Sequence, residues 1–400
     1  MRSKEFRKLV GDLARAGEPT DPRCPHAKEC GGCAFQDRDY SAQVAAKAQA
    51  MGRLFAEANL AEVGYQADTF TVLPSPAPYA YRTRMDYVAT KGRFGLRQRG
   101  KFNYIVELTT CHLIPPAAFA AAQAVWLRAN ELGLPDYNIR SHEGFLRYVV
   151  VRRSPDDALL LAAVTAAGPY EAEMERLAEA ALAQPGVVSF HWLLNDSLTD
   201  LSFGSPLRHW GEATLAMRAG EATLEVGPNT FFQNNVHLLG QLLDDVLAAV
   251  VSGEQKRSSV ADLYGGVGTI ALHLSPHVGE VVCVESVGES AELAARNSAA
   301  NGVSNVRAVA MDVLAYLREQ PAGACEVAVA DPPRTGLGPD VCAELLRVAP
   351  GRIVYVSCNP LTLAEDLRAL GAGYRLRSLT GYDMFPHTPH VEAMAVLDRQ

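Results

Sequence analysis

Four hundred residues, 48% apolar and 20% charged, suffice for two or three packed domains and exclude a peptide or a disordered tail. A formal net charge of −8 speaks against a chain-wide electrostatic grip on nucleic acid, though not against a local basic face. No run approaches the roughly 20 apolar residues that span a bilayer, and the charged opening Met1-Arg2-Ser3-Lys4-Glu5 lacks a signal-peptide core, so a cytoplasmic chain without membrane association is expected.

Residues 1–70 read as a cysteine-bearing segment, with Cys24, Cys30 and Cys33 in a loop containing Pro and Gly. Cys111 stands alone downstream, and eight cysteines without a signal suit metal binding, catalysis or burial better than disulfides. From 71 to 224 strands mix with a few helices without regular alternation, which predicts an α+β domain. Strands are expected over 81–90 and 103–109, flanking a turn region at 92–100. Segments 145–153 and 158–165 read as a hairpin around Ser154-Pro155-Asp156-Asp157, and 116–132 and 171–183 carry helical apolar spacing. Between 79 and 101 seven basic residues, Arg82, Arg84, Lys91, Arg93, Arg97, Arg99 and Lys101, face a single acid, Asp86. Tyr79, Tyr81, Tyr87 and Phe94 are interleaved. Cations for phosphates and rings for unstacked bases suit RNA; a solvated charged hairpin is the alternative.

From 225 to 400 the rhythm changes: a helix over 233–250 precedes strands at 259–263, 280–284, 306–310, 326–330 and 352–357, separated by helices. This alternation predicts a parallel sheet covered on both faces, with ligands at the carboxyl ends of its strands. The run from Val260 through Asp262-Leu263-Tyr264-Gly265-Gly266-Val267-Gly268 is a strand entering a tight glycine turn. Its spacing does not fit the G-x-G-x-x-G of a dinucleotide site. Glu285 ends the next strand, placed for ribose hydroxyls, and Asp312 closes the third, placed for an adenine amino group. The set fits a nucleoside ligand without a phosphate chain, which describes S-adenosylmethionine; the alternative is a glycine turn with surface acids.

Asp331-Pro332-Pro333-Arg334 follows the fourth strand, where adjacent prolines hold Asp331 at the strand end. Ser357-Cys358-Asn359-Pro360 ends the fifth strand as a helix begins. A thiol near a helix N-terminus is expected to have a lowered pKa, which makes Cys358 a candidate nucleophile rather than an inert buried cysteine. Cys283, Cys325 and Cys342 lack that context and read as core residues.

These segments, with Phe231-Phe232-Gln233-Asn234-Asn235 before them and His390-Val391-Glu392 after, resemble in order the RNA 5-methyluridine methyltransferase family, from about residue 22 to the end. Gly265 departs from it, since many members have Cys there, and a second glycine is expected only to ease the turn. The resemblance implies an α/β chain whose 225–400 region is a Rossmann-like class I S-adenosylmethionine methyltransferase domain, joined to an α+β domain carrying an iron–sulfur cluster. It implies attack of Cys358 on uracil carbon 6, with Glu392 as the base that removes the carbon 5 proton. Gln233 and Tyr264 then join Glu285 and Asp331 as cofactor contacts, Asp312 being added from its strand position. Phe231 becomes a stacking surface for a flipped base, and Arg82, Arg84, Arg97 and Arg99 become RNA contacts.

Spacing by itself would favour zinc at Cys24, Cys30, Cys33 and Cys111, although only one C-x2-C pair is present. Cys30-Gly31-Gly32-Cys33 instead resembles members that carry a [4Fe–4S] cluster. Few residues precede Cys24 to make a separate OB-like domain. Cysteines without that domain resemble the branch acting on 23S large-subunit ribosomal RNA. A transfer-RNA uracil methyltransferase is the first alternative, and an RNA-binding or RNA-folding factor with a vestigial site is another. No obligate protein partner is evident.

Overall fold

The computed structural model describes residues 1–61, 63–65, 70–252 and 258–400. Helices α1 (Ser3–Arg15) and α2 (Tyr40–Glu57) come first, then the two-residue strand β1 (Val72–Leu73). Next are β2 (Arg84–Thr90), β3 (Arg93–Gln98), β4 (Lys101–Glu107), α3 (Pro116–Glu131), β5 (Leu146–Arg153), β6 (Leu159–Thr165), α4 (Glu171–Leu182), β7 (Val187–Leu194) and β8 (Ser205–Gly211). Among the described residues these strands form a seven-stranded sheet in the order β4-β3-β2-β5-β6-β7-β8, mostly antiparallel, with α3 and α4 over one face. β5 and β6 are buried along their whole length, as their near-continuous apolar sequences require. The edge strand β8 is polar and largely exposed, with Pro206 in it, which blunts pairing to another chain.

A hairpin of β9 (Leu215–Ala219) and β10 (Ala222–Val226) leads into the second half. There follow α5 (Leu239–Val251), β11 (Ser259–Leu263), α6 (Thr269–Leu274), β12 (Glu280–Glu285), α7 (Gly288–Ala300), β13 (Val306–Ala310) and α8 (Val313–Glu319). The last elements are β14 (Val327–Ala330), α9 (Gly338–Val348), β15 (Arg352–Ser357), α10 (Pro360–Leu370), β16 (Tyr374–Tyr382) and β17 (Glu392–Arg399). The sheet order among the described residues is β1-β16-β17-β15-β14-β11-β12-β13, and β11 to β15 run parallel, as the alternating pattern predicts. The expected helix over 233–250 is shorter, because residues 233–238 take an irregular path between the halves and α5 starts at Leu239.

β17 is the consequential departure from an all-parallel sheet. It enters antiparallel between β15 and β16, with Ser357 opposite Ala393. The N-terminal segment also does not stand apart. Phe6, Val10 and Ala14 of α1, with Met51, Leu54 and Phe55 of α2, share a core with Leu263, Leu345, Leu363 and Leu367, and β1 pairs with β16. Cys30, Cys33 and Cys111 instead pack into the core under the seven-stranded sheet. A third apolar cluster, with Val150 and Leu160 on one side and Phe232, Leu239, Val267 and Leu293 on the other, joins the halves. Among the described residues no helix is long and apolar enough to cross a membrane.

Candidate active site

The glycine turn after β11 is held in left-handed backbone, with φ of 62° at Tyr264, 56° at Gly266 and 88° at Gly268. For Tyr264 this conformation is costly and persists because its neighbours fix it. Asp262, buried in the strand, accepts from Ala271 N at 3.0 Å and so anchors the first turn of α6. Burial and the nearby Asp331 push its carboxyl up to about 8. Gly265 is required for space: a Cβ there would lie 2.3 Å from Cys283 Sγ. The expectation that this glycine only eases the turn is thereby corrected, since it makes room for a buried thiol.

Phe231, Gln233, Tyr264, Gly266 and Asp331 line one pocket at the carboxyl ends of the strands. Phe231 stands 60% exposed at its edge, free to offer a ring face. Gln233 Nε2 donates to Asp331 Oδ2 at 2.9 Å. Glu285 closes β12 with its carboxylate accepting from Gly266 N at 3.1 Å and Val287 N at 2.7 Å. Asp312 is placed differently from expectation: it is exposed, lies past the end of β13 and caps α8 by accepting from Ala315 N at 3.0 Å.

Cys358 follows β15 and precedes α10, whose Asn359 cap accepts from Leu361 N at 3.2 Å with Pro360 in the first turn. Asn359 Nδ2 also donates to Arg334 O at 2.8 Å, which ties the thiol loop to the Asp331–Arg334 loop. Ala393, paired with Ser357, follows Glu392 at the start of β17, which brings the Glu392 carboxyl close enough for its charge to act on the Cys358 thiol. Glu392 is 2% exposed, and its Oε1 has no hydrogen-bond partner among the described residues. Burial, reinforced by Asp331, raises its carboxyl well above the usual range, and burial pushes Asp331 up to about 7. The thiol runs opposite to the sequence expectation. Burial, then the charges of Glu392 and Asp331, push Cys358 up to about 12, while Arg334 acts the other way. Desolvation and two carboxylates outweigh the helix terminus.

A pocket of about 130 Å³ surrounds Cys358, lined by Arg334, Asn359, His390 and residues of α1. A cleft of about 750 Å³ adjoins it, sharing Pro389 and His390 and carrying Arg82, Arg84, Arg97, Arg99 and Lys101 on its walls. The basic stretch therefore does face a cleft, but its arginines also bind the protein to itself. Arg84 pairs with Asp86 at 2.8 Å and donates to Pro228 O and Ser202 O. Arg97 pairs with Asp200, Arg99 donates to Ala27 O and Cys33 O, and Arg82 lies over the Tyr81 ring. Tyr81, Tyr87 and Phe94 are wholly buried, which corrects their reading as base-stacking rings: strand alternation turns Tyr87 and Phe94 into the core, and the Tyr81 hydroxyl donates to Pro386 O at 3.1 Å.

The family model for tRNA (uracil-5-)-methyltransferases matches residues 209–400. An uncharacterized RNA methyltransferase of Nitratidesulfovibrio vulgaris is 34% identical over 404 residues, which cover 97% of this chain and 85% of that protein. The tRNA (uracil(54)-C(5))-methyltransferase of Pyrococcus abyssi is 33% identical, with 94% and 85% covered. The crystal structure of the Pyrococcus abyssi tRNA (uracil-54, C5)-methyltransferase with S-adenosyl-L-homocysteine matches at a TM-score of 0.78 and 32% identity, over 93% of this chain and 86% of that one.

The chain belongs to the RNA (uracil-5) methyltransferase family.

Its methyltransferase half has the class I α/β fold of S-adenosylmethionine-dependent enzymes. Within this family member the four candidate cluster cysteines are all buried and free, and the charge of Cys111 acts on each of the other three. Burial pushes Cys30 up to about 11 and Cys33 up to about 12. Gly32 N donates to Cys30 Sγ at 3.4 Å and Gln36 Nε2 to Cys33 Sγ at 3.1 Å. Among the described residues no set of three or more His, Cys, Asp or Glu side chains is arranged to hold a single metal ion. Sequence reasoning gave no role to Arg334, the exposed cation acting on both Cys358 and Glu392. Its signal was its place directly after Asp331-Pro332-Pro333.

Proposed function

We propose that this chain methylates carbon 5 of a uridine in RNA through a covalent cycle in which Cys358 is the nucleophile and Glu392 the base. S-adenosylmethionine supplies the methyl group in this family. The support is the antiparallel entry of β17, which brings a buried carboxyl close to the thiol at the carboxyl end of the parallel strands. Addition of the Cys358 thiolate to carbon 6 moves its negative charge onto the uracil as an enolate, whose carbon 5 takes the methyl group. The adduct then keeps one proton on carbon 5. Glu392 removes it, and the electron pair expels the sulfur to restore the ring double bond. Arg334 favours the thiolate, and Gln233, Tyr264, Glu285 and Asp331 hold the cofactor. Phe231 offers a face to the flipped base, and the arginine-walled cleft admits the strand.

We further infer that Cys24, Cys30, Cys33 and Cys111 hold a [4Fe–4S] cluster. Four convergent buried thiols with N–H donors aimed at sulfur suit a cluster in which each thiolate meets a different iron. A single zinc would need every sulfur at about 2.3 Å. Methyl transfer moves no electrons between substrates, so the cluster would brace the cleft wall, to which Arg99 connects through Cys33 O. Iron and sulfide assay of anaerobically purified protein tests this, and zinc alone would overturn it.

For the RNA, the cysteine set resembling the ribosomal branch supports 23S ribosomal RNA. A second reading, transfer RNA, is favoured by relatives from Pyrococcus named as tRNA (uracil(54)-C(5))-methyltransferases. The decisive experiment offers unmodified transcripts of both RNAs, each also made with 5-fluorouracil. Methylation and a cofactor-dependent adduct on Cys358 are expected with the ribosomal transcript. An adduct with transfer RNA alone moves the substrate, and no adduct with either defeats the covalent mechanism.

A further inference from the structure

The pocket around Cys358 has a wall that the catalytic motifs do not supply. Ser3, Phe6 and Arg7 of α1 line it opposite Arg334 and Cys358, although more than 350 residues separate them from the thiol in sequence. Helix α1 is fixed there by its apolar stripe: Phe6, Val10 and Ala14, spaced four apart, are 3%, 0% and 0% exposed in the core of the methyltransferase half. Glu5 closes its first turn, its carboxylate accepting from Arg2 N at 2.8 Å and from the Arg2 guanidinium. Once Phe6 is docked, the next residue turns about 100° around the helix, towards the pocket mouth. Arg7 is exposed there, has no ion-pair partner among the described residues, and makes only a 3.4 Å contact from Nε to Ser3 O. By contrast Arg84 and Arg97 in the cleft have carboxylate partners.

Two further observations point the guanidinium at substrate. His390 lies on the boundary between the thiol pocket and the 750 Å³ cleft, so a nucleotide passing from one to the other moves beside α1. The charge of Arg7 is felt at His390, whose ring is kept neutral by burial and by Arg334, Lys47 and Arg7. A neutral ring and two guanidiniums without an ion-pair partner among the described residues, at the mouth of a small pocket, suit a nucleotide whose base enters and whose phosphodiester stays at the rim.

We propose that Arg7 is a substrate-binding residue, which takes a phosphodiester oxygen next to the target uridine and makes α1 part of the RNA site. This rests on the reading that Cys358 attacks an RNA uracil. Arg7→Glu and Arg7→Lys would be compared with Arg15→Glu, the same charge reversal two turns along the helix. Binding of the unmodified ribosomal and transfer-RNA transcripts would be measured across salt, with steady-state methylation and S-adenosyl-L-homocysteine affinity alongside.

Arg7→Glu should raise the Kd and KM for RNA about tenfold or more and lower the salt slope by about one. It should leave kcat within about threefold and the S-adenosyl-L-homocysteine affinity unchanged, since charge-dependent ground-state binding is what is removed. Arg7→Lys should keep most of the affinity, and Arg15→Glu should match wild type. Equal RNA affinity and salt slope for Arg7→Glu and Arg15→Glu would overturn the proposal. So would loss of S-adenosyl-L-homocysteine binding in Arg7→Glu, which would mark a structural role. If wild-type protein forms no adduct with 5-fluorouracil RNA, the covalent reading fails by itself, and the salt-dependent binding still decides the role of Arg7.

Discussion

The thiol of Cys358 should be a slow nucleophile until substrate arrives. With its pKa pushed up to about 12, roughly one molecule in ten thousand carries a thiolate at pH 8, against about a quarter for a free cysteine of pKa about 8.5. That deficit is about 2,500-fold. A more basic thiolate is intrinsically more nucleophilic, and a Brønsted coefficient of about 0.4–0.5 over about 3.5 pKa units restores about 40-fold. Cys358 should therefore react with dithiodipyridine about 60-fold more slowly than a free thiol at pH 8, followed by mass spectrometry of its peptide. Since the folded pKa is raised, the thiolate fraction grows throughout the range below it. The rate should climb about tenfold per pH unit from 7 to 10 without a plateau. Arg334→Gln removes a cation that favours the thiolate and should slow the reaction further, by about two- to fivefold because this exposed charge is screened. A wild-type Cys358 that reacts as fast as free cysteine, or plateaus below pH 8, would refute the argument and restore helix-terminus activation.

Glu392→Gln should form the uracil adduct but release it slowly, so RNA-linked protein accumulates on denaturing gels with ordinary RNA; rapid turnover would assign the base elsewhere. Gly265→Cys forces a Cβ to within 2.3 Å of Cys283 Sγ and should cost about 1–3 kcal/mol in denaturant unfolding. Gly265→Cys with Cys283→Ala should recover most of that loss, and additive effects would show that the clash is not the cause. Lys47 and Asp383 form a wholly buried ion pair at 2.5 Å, with Lys47 Nζ also on Phe385 O at 3.0 Å. Lys47→Met strands the carboxylate and should destabilise the fold by about 3–5 kcal/mol; an unchanged unfolding midpoint would contradict this.

Much of the catalytic half was legible because its information is local. Alternating apolar strands and helices determine a parallel sheet, glycines permit the left-handed turn after β11, and Asn359-Pro360 starts a helix after the thiol. Those features bring Asp331 and Cys358 to the same sheet edge without knowledge of any distant contact. Only the tertiary structure decided that β17 enters antiparallel, so that Glu392 comes close to Cys358 as a buried carboxyl. Strand insertion is a long-range pairing with no periodicity to announce it. The same holds for charge. The composition of 79–101 marked a basic stretch, but Asp86 and Asp200 determine which arginines are engaged, and pleating determines that Tyr87 and Phe94 face inward. The direction of the Cys358 pKa likewise follows from burial and two carboxylates that meet the thiol only in the folded chain.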